Sequence, residues 1–204
     1  MRTIEGILFE PVGCLAEFPA EPFHQIATQF FGRRGKASKS GSREYWHLLN
    51  LMKVSRDVPD EVVDLEVEAV RQAALYEDVM PALSELKSMG VELRLASSLS
   101  KAAVKEFEAK CPGLFSQVWS RDDAGGIKDE PLRRASAALR REHTMYLADT
   151  SEGLKTAGSA GLIPILMMND PDEARRLAMH EPAGGIVSLI ELPDFVRIVA
   201  AERR

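Results

Sequence analysis

Ile4-Glu5-Gly6-Ile7-Leu8-Phe9-Glu10-Pro11-Val12-Gly13-Cys14-Leu15 is the stretch on which the reading of this chain turns. Residues 4–9 form a short apolar run that Pro11 and Gly13 break, the pattern of a buried strand ending in a turn. The residues after it change character. Phe23, Ile26, Ala27, Phe30 and Phe31 recur at helical spacing. So do Tyr45, Leu48, Leu49 and Met52, and then Val62, Val63, Leu65, Val67 and Val70, with no strand signal between them. An insertion of three or four helices is expected over 18–76.

Beyond the insertion, strands and helices alternate. Asp78 can cap a helix with Pro81 in its first turn, burying Leu83, Leu86 and Met89 before Gly90 ends it. Strands are expected at 91–96, 117–120, 145–148, 162–168 and 186–188. Helices are expected at 100–110, 131–141 and 151–160, then after Asp170 as N-cap, and from Pro193 onward. Strands separated by ten-residue helices are parallel βαβ units. The expected fold is therefore α/β: a doubly wound, mainly parallel, Rossmann-like sheet formed by 1–17 and 77–204, with 18–76 as a small all-helical cap.

Composition narrows the partners. The 204 residues are 45% hydrophobic and 28% charged, enough apolar material for a proper core, and the net charge of −5 gives no global field for nucleic acid or an anionic membrane. Apolar stretches such as 161–168 fall far short of the roughly 20 residues of a membrane span. The opening Met1-Arg2-Thr3-Ile4-Glu5 lacks the pattern of a signal peptide. Two cysteines, Cys14 and Cys111, make no disulfide framework. A cytoplasmic protein with reduced, packed thiols is expected. The expected partner is a small anionic molecule, neither nucleic acid nor membrane, and the sequence sets no oligomeric state.

Ligands of such sheets bind beyond the carboxyl ends of the strands, near the switch in strand order. The candidates there are Glu10, Ser97 with Ser98, Lys128 within 121–128, and Asp149 with Glu152. Each alone is ordinarily a helix cap or loop residue. A carboxylate, a hydroxyl, a lysine and a second carboxylate at four successive strand ends form a coherent set.

That order resembles the four motifs of the haloacid dehalogenase superfamily, over nearly the whole chain. Ile7 through Leu15 is similar to the first motif, a strand followed by Asp-x-Asp-Gly-Thr-Leu. Leu95-Ala96-Ser97-Ser98 resembles the second, whose hydroxyl binds the transferring phosphoryl group. Lys128-Asp129-Glu130-Pro131 resembles the third, and Leu147-Ala148-Asp149-Thr150-Ser151-Glu152-Gly153 the fourth, which supplies metal ligands. The resemblance implies Glu10, Ser97, Lys128 and Asp149 as the catalytic set, with Ser98 beside them. It also implies weakly held Mg²⁺ as the sole cofactor, with Glu10, the Val12 carbonyl and Asp149 as its ligands.

The departures from the family pattern shape the expected function. Glu10 replaces the nucleophilic aspartate, Val12 the acid–base aspartate, Cys14 the threonine, and Gly153 the second acid of the fourth motif. A lost acid–base and a misplaced nucleophile together cost on the order of 10⁴ to 10⁶ in rate. The expected protein is catalytically degenerate and holds a small anionic metabolite or a partner. The alternative is a Mg²⁺-dependent phosphatase of small phosphorylated metabolites using Glu10, with a haloacid dehalogenase less favoured. Aspartates at 10 and 12 should then raise phosphate-ester turnover, provided the loop accepts an acid at Val12.

His24 stands where some relatives place a histidine over the site, which makes it a substrate-binding candidate set against an ordinary half-buried residue. His47, His143 and His180 show no metal-ligand spacing. Arg33, Arg34, Lys36, Lys39 and Arg43, with Gly32, Gly35 and Gly41, read as a solvated loop between cap helices.

Overall fold

The structure, a computed structural model, describes residues 4–53, 58–169 and 171–202. Six parallel strands form the sheet: β1 (Gly6–Phe9), β4 (Glu92–Ala96), β5 (Gln117–Trp119), β6 (Thr144–Ala148), β7 (Ile163–Met167) and β8 (Gly184–Ile186). Their order is β5-β4-β1-β6-β7-β8, so the chain builds outward from β1 on one side and then crosses to the other. The switch in strand order lies at β1.

Register explains why the strand ends meet. Phe9 pairs with Leu95 of β4 and with Leu147 of β6, so the three central strands finish level. Glu10, Ser97 and Asp149 leave the sheet at the same edge. Within these strands nearly every side chain is buried, because helices cover both faces. Successive residues supply opposite faces: Ile7, Phe9, Leu95 and Leu147 join one apolar cluster, and Leu8, Ala96, Tyr146 and Ala148 the other.

Between Glu17 and Ala74 the described residues form three helices, Ala20–Phe31, Gly41–Met52 and Glu61–Gln72. The chain enters and leaves them through a two-stranded antiparallel ribbon, β2 (Ala16–Glu17) with β3 (Ala74–Leu75), which lies outside the main sheet. The helical segment is not an isolated body. Phe18 stacks on both Phe23 and Phe107, and one continuous apolar cluster runs from the cap helices into the sheet. Glu66 on the third cap helix is fully buried and pairs with Arg121 beyond β5, while its other oxygen accepts the Ser100 amide at 3.0 Å.

Several boundaries differ from the sequence expectation. The helix expected over 131–141 is Asp129–Ser136, followed by a short 3₁₀ turn, Arg141–His143. The last strand is Gly184–Ile186, earlier than 186–188, and two glycines hide its apolar signal. Asp170 lies outside the described residues, so its capping role is not addressed by the helix Pro171–Leu177. Asp78 precedes its helix without capping it. Its carboxylate instead accepts from the Ser188 hydroxyl at 2.5 Å and the Leu189 amide at 2.7 Å, pinning a distant turn. The basic stretch is, as expected, a largely exposed loop between two cap helices, and it is anchored on buried Glu44, which accepts from Arg33, from His24 Nδ1 at 3.1 Å and from the Ser38 amide at 2.8 Å. Among the described residues no helix is long and apolar enough to cross a membrane.

Candidate functional site

After β1 the backbone turns sharply through Pro11–Cys14. Gly13 takes φ +81°, and a Cβ there would lie 2.0 Å from Asp149 Oδ2 and 2.8 Å from Ser42 Cβ. Only glycine fits between the end of β6 and the cap helix Gly41–Met52.

Glu10, first past β1, turns into the protein. Its Oε1 accepts from Ser97 Oγ at 2.6 Å, and its Oε2 lies 3.4 Å from both the Ser98 amide and the Tyr45 hydroxyl. Tyr45 belongs to the cap helix Gly41–Met52, so the cap closes over this carboxyl. Burial pushes the Glu10 acid up to about 8; the Ser97 and Ser98 hydrogen bonds pull it back only in part, and Asp149 adds a further push upward. At neutral pH the group is mostly the neutral acid. The extra methylene of glutamate carries the carboxyl to the second-motif hydroxyl, which the resemblance assigns to a phosphoryl group.

Lys128 follows a different course from the one expected. Its side chain ends on Asn50 of the cap helix, and its backbone amide donates to Ser98 Oγ at 2.6 Å. Burial and the neighbouring Lys53 hold its ammonium below the usual lysine range. Among the described residues no hydrogen bond or ion pair joins it to Glu10. The backbone at Lys128 sits at φ +61°, ψ −99°, a conformation costly for any side chain with a Cβ. Lys128→Gly should therefore be more stable than Lys128→Ala by about 1 kcal/mol or more, because both lose the Asn50 contact and only glycine relieves the backbone. Chemical denaturation of the two variants measures that difference.

Asp149 accepts from Asn169 Nδ2 at 3.4 Å and flanks Gly13. Thr150 is the N-cap of the helix Ser151–Ser159, accepting the Gly153 amide at 3.2 Å. A Cβ on Gly153 would lie 2.9 Å from Ala148 Cβ and 3.2 Å from Thr150 Oγ1, with the Trp46 ring in ordinary contact at 3.8 Å. Val12 is fully buried in the main apolar cluster. Cys14 is also buried, and burial first, with Asp149 and Glu10 adding to it, pushes its thiol well above the ordinary range, the opposite of a reactive cysteine. His24 is half-buried, faces Glu44 within the cap at 3.1 Å and does not line the cavity described below, in line with the ordinary half-buried histidine also expected.

The donor set does not fit Mg²⁺. Both Glu10 oxygens face protein donors, Ser97 Oγ at 2.6 Å and the Ser98 amide and Tyr45 hydroxyl at 3.4 Å, and Glu10 does not line the cavity beside Asp149, whereas Mg²⁺ needs carboxylate oxygens turned to one centre.

Tyr45, Asn50, Ser42 and Trp46 were not legible as site residues, because their helical spacing marks them equally as core. All four lie on the helix Gly41–Met52. Beside them, on the far side of Gly13 from Glu10, an open cavity of about 670 Å³ separates this helix from the ends of β6 and β7. Asp149 and Glu152 line it; Glu10, Ser97 and Lys128 do not.

Comparison with known proteins agrees with the fold. The enolase-phosphatase E1 of Frankia alni is 32% identical over 116 residues, 53% of this chain and 49% of that protein, so the chain spans about half the length of this curated relative. A phosphonoacetaldehyde hydrolase-like protein from Oleispira antarctica superposes with a TM-score of 0.73 at 12% identity, over 96% of this chain and 92% of the other. A haloacid dehalogenase-like hydrolase from Streptococcus pneumoniae superposes with a TM-score of 0.72 at 15% identity, over 96% and 99%. The sequence pattern of the haloacid dehalogenase-like hydrolases matches residues 25–167, and the chain belongs to that family.

Proposed function

We propose that this chain is a catalytically degenerate member of its family, which binds a small anionic metabolite and does not hydrolyse it. One observation carries the reading: the Glu10 carboxyl is bonded at 2.6 Å to Ser97 Oγ, the hydroxyl that the family resemblance assigns to the phosphoryl group. A carboxyl held there, mostly neutral, presents no nucleophile, and it takes the hydroxyl a phosphoryl oxygen would use. Buried Val12 moves no proton, and Lys128 is directed to Asn50. Both cysteines are free and buried, in keeping with a cytoplasmic setting.

The competing reading, a Mg²⁺-dependent phosphatase of small phosphorylated metabolites, draws its support from the likeness to an enolase-phosphatase over half the chain. A turnover screen with p-nitrophenyl phosphate and Mg²⁺ separates the two. The expected result is release no faster than buffer with Mg²⁺ alone. Mg²⁺-dependent turnover that Glu10→Gln abolishes would establish the phosphatase and end the degenerate reading.

A further inference from the structure

Two cap helices reach the loop 97–100, which follows β4 and carries Ser97 and Ser98. From the helix Gly41–Met52, the Tyr45 hydroxyl lies 3.4 Å from Glu10, which holds Ser97. Asn50 of the same helix accepts from Lys128, whose amide donates to Ser98 Oγ at 2.6 Å. From the helix Glu61–Gln72, Glu66 accepts the Ser100 amide at 3.0 Å with one oxygen and Arg121 Nη1 at 2.5 Å with the other. That Arg121 nitrogen also donates to the Ser98 carbonyl at 3.2 Å, and the Arg121 amide donates to the Leu99 carbonyl at 3.1 Å. With its amide 3.4 Å from Glu10, Ser98 is held by all three of its polar groups.

Burial makes this arrangement all-or-none. Glu66 and Arg121 are both buried. Asp122, the other carboxylate that approaches Arg121 among the described residues, is exposed and 3.8 Å from Nε, so Glu66 is the counter-charge that the buried guanidinium requires. A slight shift of the cap would strand Arg121 in a dry seam, a state less stable than either end point. Full opening returns both charges to water. The seating of the cap and the shape of the loop therefore change together. Arg71 and Glu106, 3.3 Å apart, form an ion pair between the same cap helix and the core helix Lys101–Glu108, but both are exposed and water serves each of them when they part.

We infer that Glu66 is a latch: the loop 97–100 opens only when Glu66 parts from Arg121, so that cap opening and release of Ser97 are one event. Glu10, Ser97 and Ser98 are all buried while the latch is closed, and a ligand reaches the Ser97 hydroxyl only after it opens. The cavity beside Asp149 is lined by none of these three and stays open in the latched state. The inference does not rest on the non-hydrolytic reading, since the same latch would shut a hydrolytic site.

Amide hydrogen exchange of the full chain tests the latch. The Ser98, Leu99 and Lys128 amides report on the loop, because they bond to Glu10, Ser97 Oγ and Ser98 Oγ and to neither member of the pair. Glu66→Gln leaves Arg121 buried without its counter-charge and should lower the folding constant, measured by urea unfolding, by roughly 10²- to 10³-fold. Because the loop opens only with the pair broken, the substitution destabilises the closed state alone, and exchange of the three amides should speed up by that same factor. Arg71→Ala, at the exposed pair, should change both quantities by less than about five-fold. Should Glu66→Gln fail to fold, Glu66→Asp keeps the charge but draws it back by one methylene, and a smaller factor shared by folding and exchange is expected. Loop exchange at the wild-type rate while the folding constant falls would overturn the latch, since the loop would then open with the pair intact. So would a Glu66→Gln protein unchanged in both quantities, or an Arg71→Ala effect as large as that of Glu66→Gln.

Discussion

Glu10→Gln is expected to flatten the pH dependence of stability between about pH 4.5 and pH 8. A glutamate in the unfolded chain titrates near 4.5, and in the folded protein burial pushes it up to about 8. Between these values the folded state keeps a proton that the unfolded state has lost. Because the folded state binds more protons, the free energy of unfolding falls as pH rises across this window and levels off above it. At about 1.4 kcal/mol per pH unit the full loss is on the order of 5 kcal/mol. Glutamine is the uncharged isostere: it can still accept from Ser97 and has no proton to lose. Urea unfolding at pH 5, 7 and 9 should show the wild type losing stability relative to the variant by several kcal/mol, mostly between pH 5 and 8. Parallel curves would mean that Glu10 ionises normally, and the claim that it is held buried and mostly neutral would fall with them.

The sheet and the cap were legible because both rest on periodicity. Apolar runs such as Ile7–Phe9 and Tyr146–Ala148 need only be buried on both faces to become central strands, and the helical spacing of Phe23, Ile26 and Ala27 needs only one buried face. That Glu10, Ser97 and Asp149 follow three central strands was also legible, and they share one sheet edge because those strands end level. Where the side chains go was not. Glu10 differs from aspartate by one methylene, and that length carries it into contact with Ser97. Lys128 follows a strained backbone turn toward Asn50, and nothing in its local sequence announces the turn. Asp78 looked like a helix cap because short-range spacing is all the sequence offers, while its real partners, Ser188 and Leu189, lie more than a hundred residues away. The helix Gly41–Met52 was read as one apolar stripe. Its Tyr45, Ser42, Trp46 and Asn50 reach, respectively, Glu10, the cavity wall, the Gly153 position and Lys128, contacts that only the docking of cap on core creates.

That docking changes what restoring the family's acids should do. The sequence suggested that aspartates at 10 and 12 would recover turnover if the loop accepted an acid at 12. Val12 is fully buried within the continuous apolar cluster, and a carboxyl placed there loses its hydration without a designated partner. Glu10→Asp also withdraws the carboxyl from Ser97, leaving that hydroxyl to find another acceptor. The double variant is expected to lose about 3–5 kcal/mol of stability, the range for an uncompensated buried charge, and to show no phosphate-ester turnover. Gly153→Asp should fare no better, because its Cβ would lie 2.9 Å from Ala148 Cβ and 3.2 Å from Thr150 Oγ1. The comparison to make is urea unfolding of Val12→Asp, Glu10→Asp and the pair, beside Val12→Thr. Threonine keeps the shape of valine and adds a hydroxyl without a formal charge, so it should cost far less. A double variant that folds as stably as wild type and hydrolyses p-nitrophenyl phosphate would show that the loop is open to an acid and that two substitutions alone separate this chain from a working hydrolase. If the variants lose stability in the order Val12→Thr, Val12→Asp, double, then the apolar seal over the turn, and not the missing carboxylates alone, keeps this site from hydrolysis. The cap residues that close it, Tyr45 over Glu10 and Trp46 beside Gly153, would then have to change along with the acids.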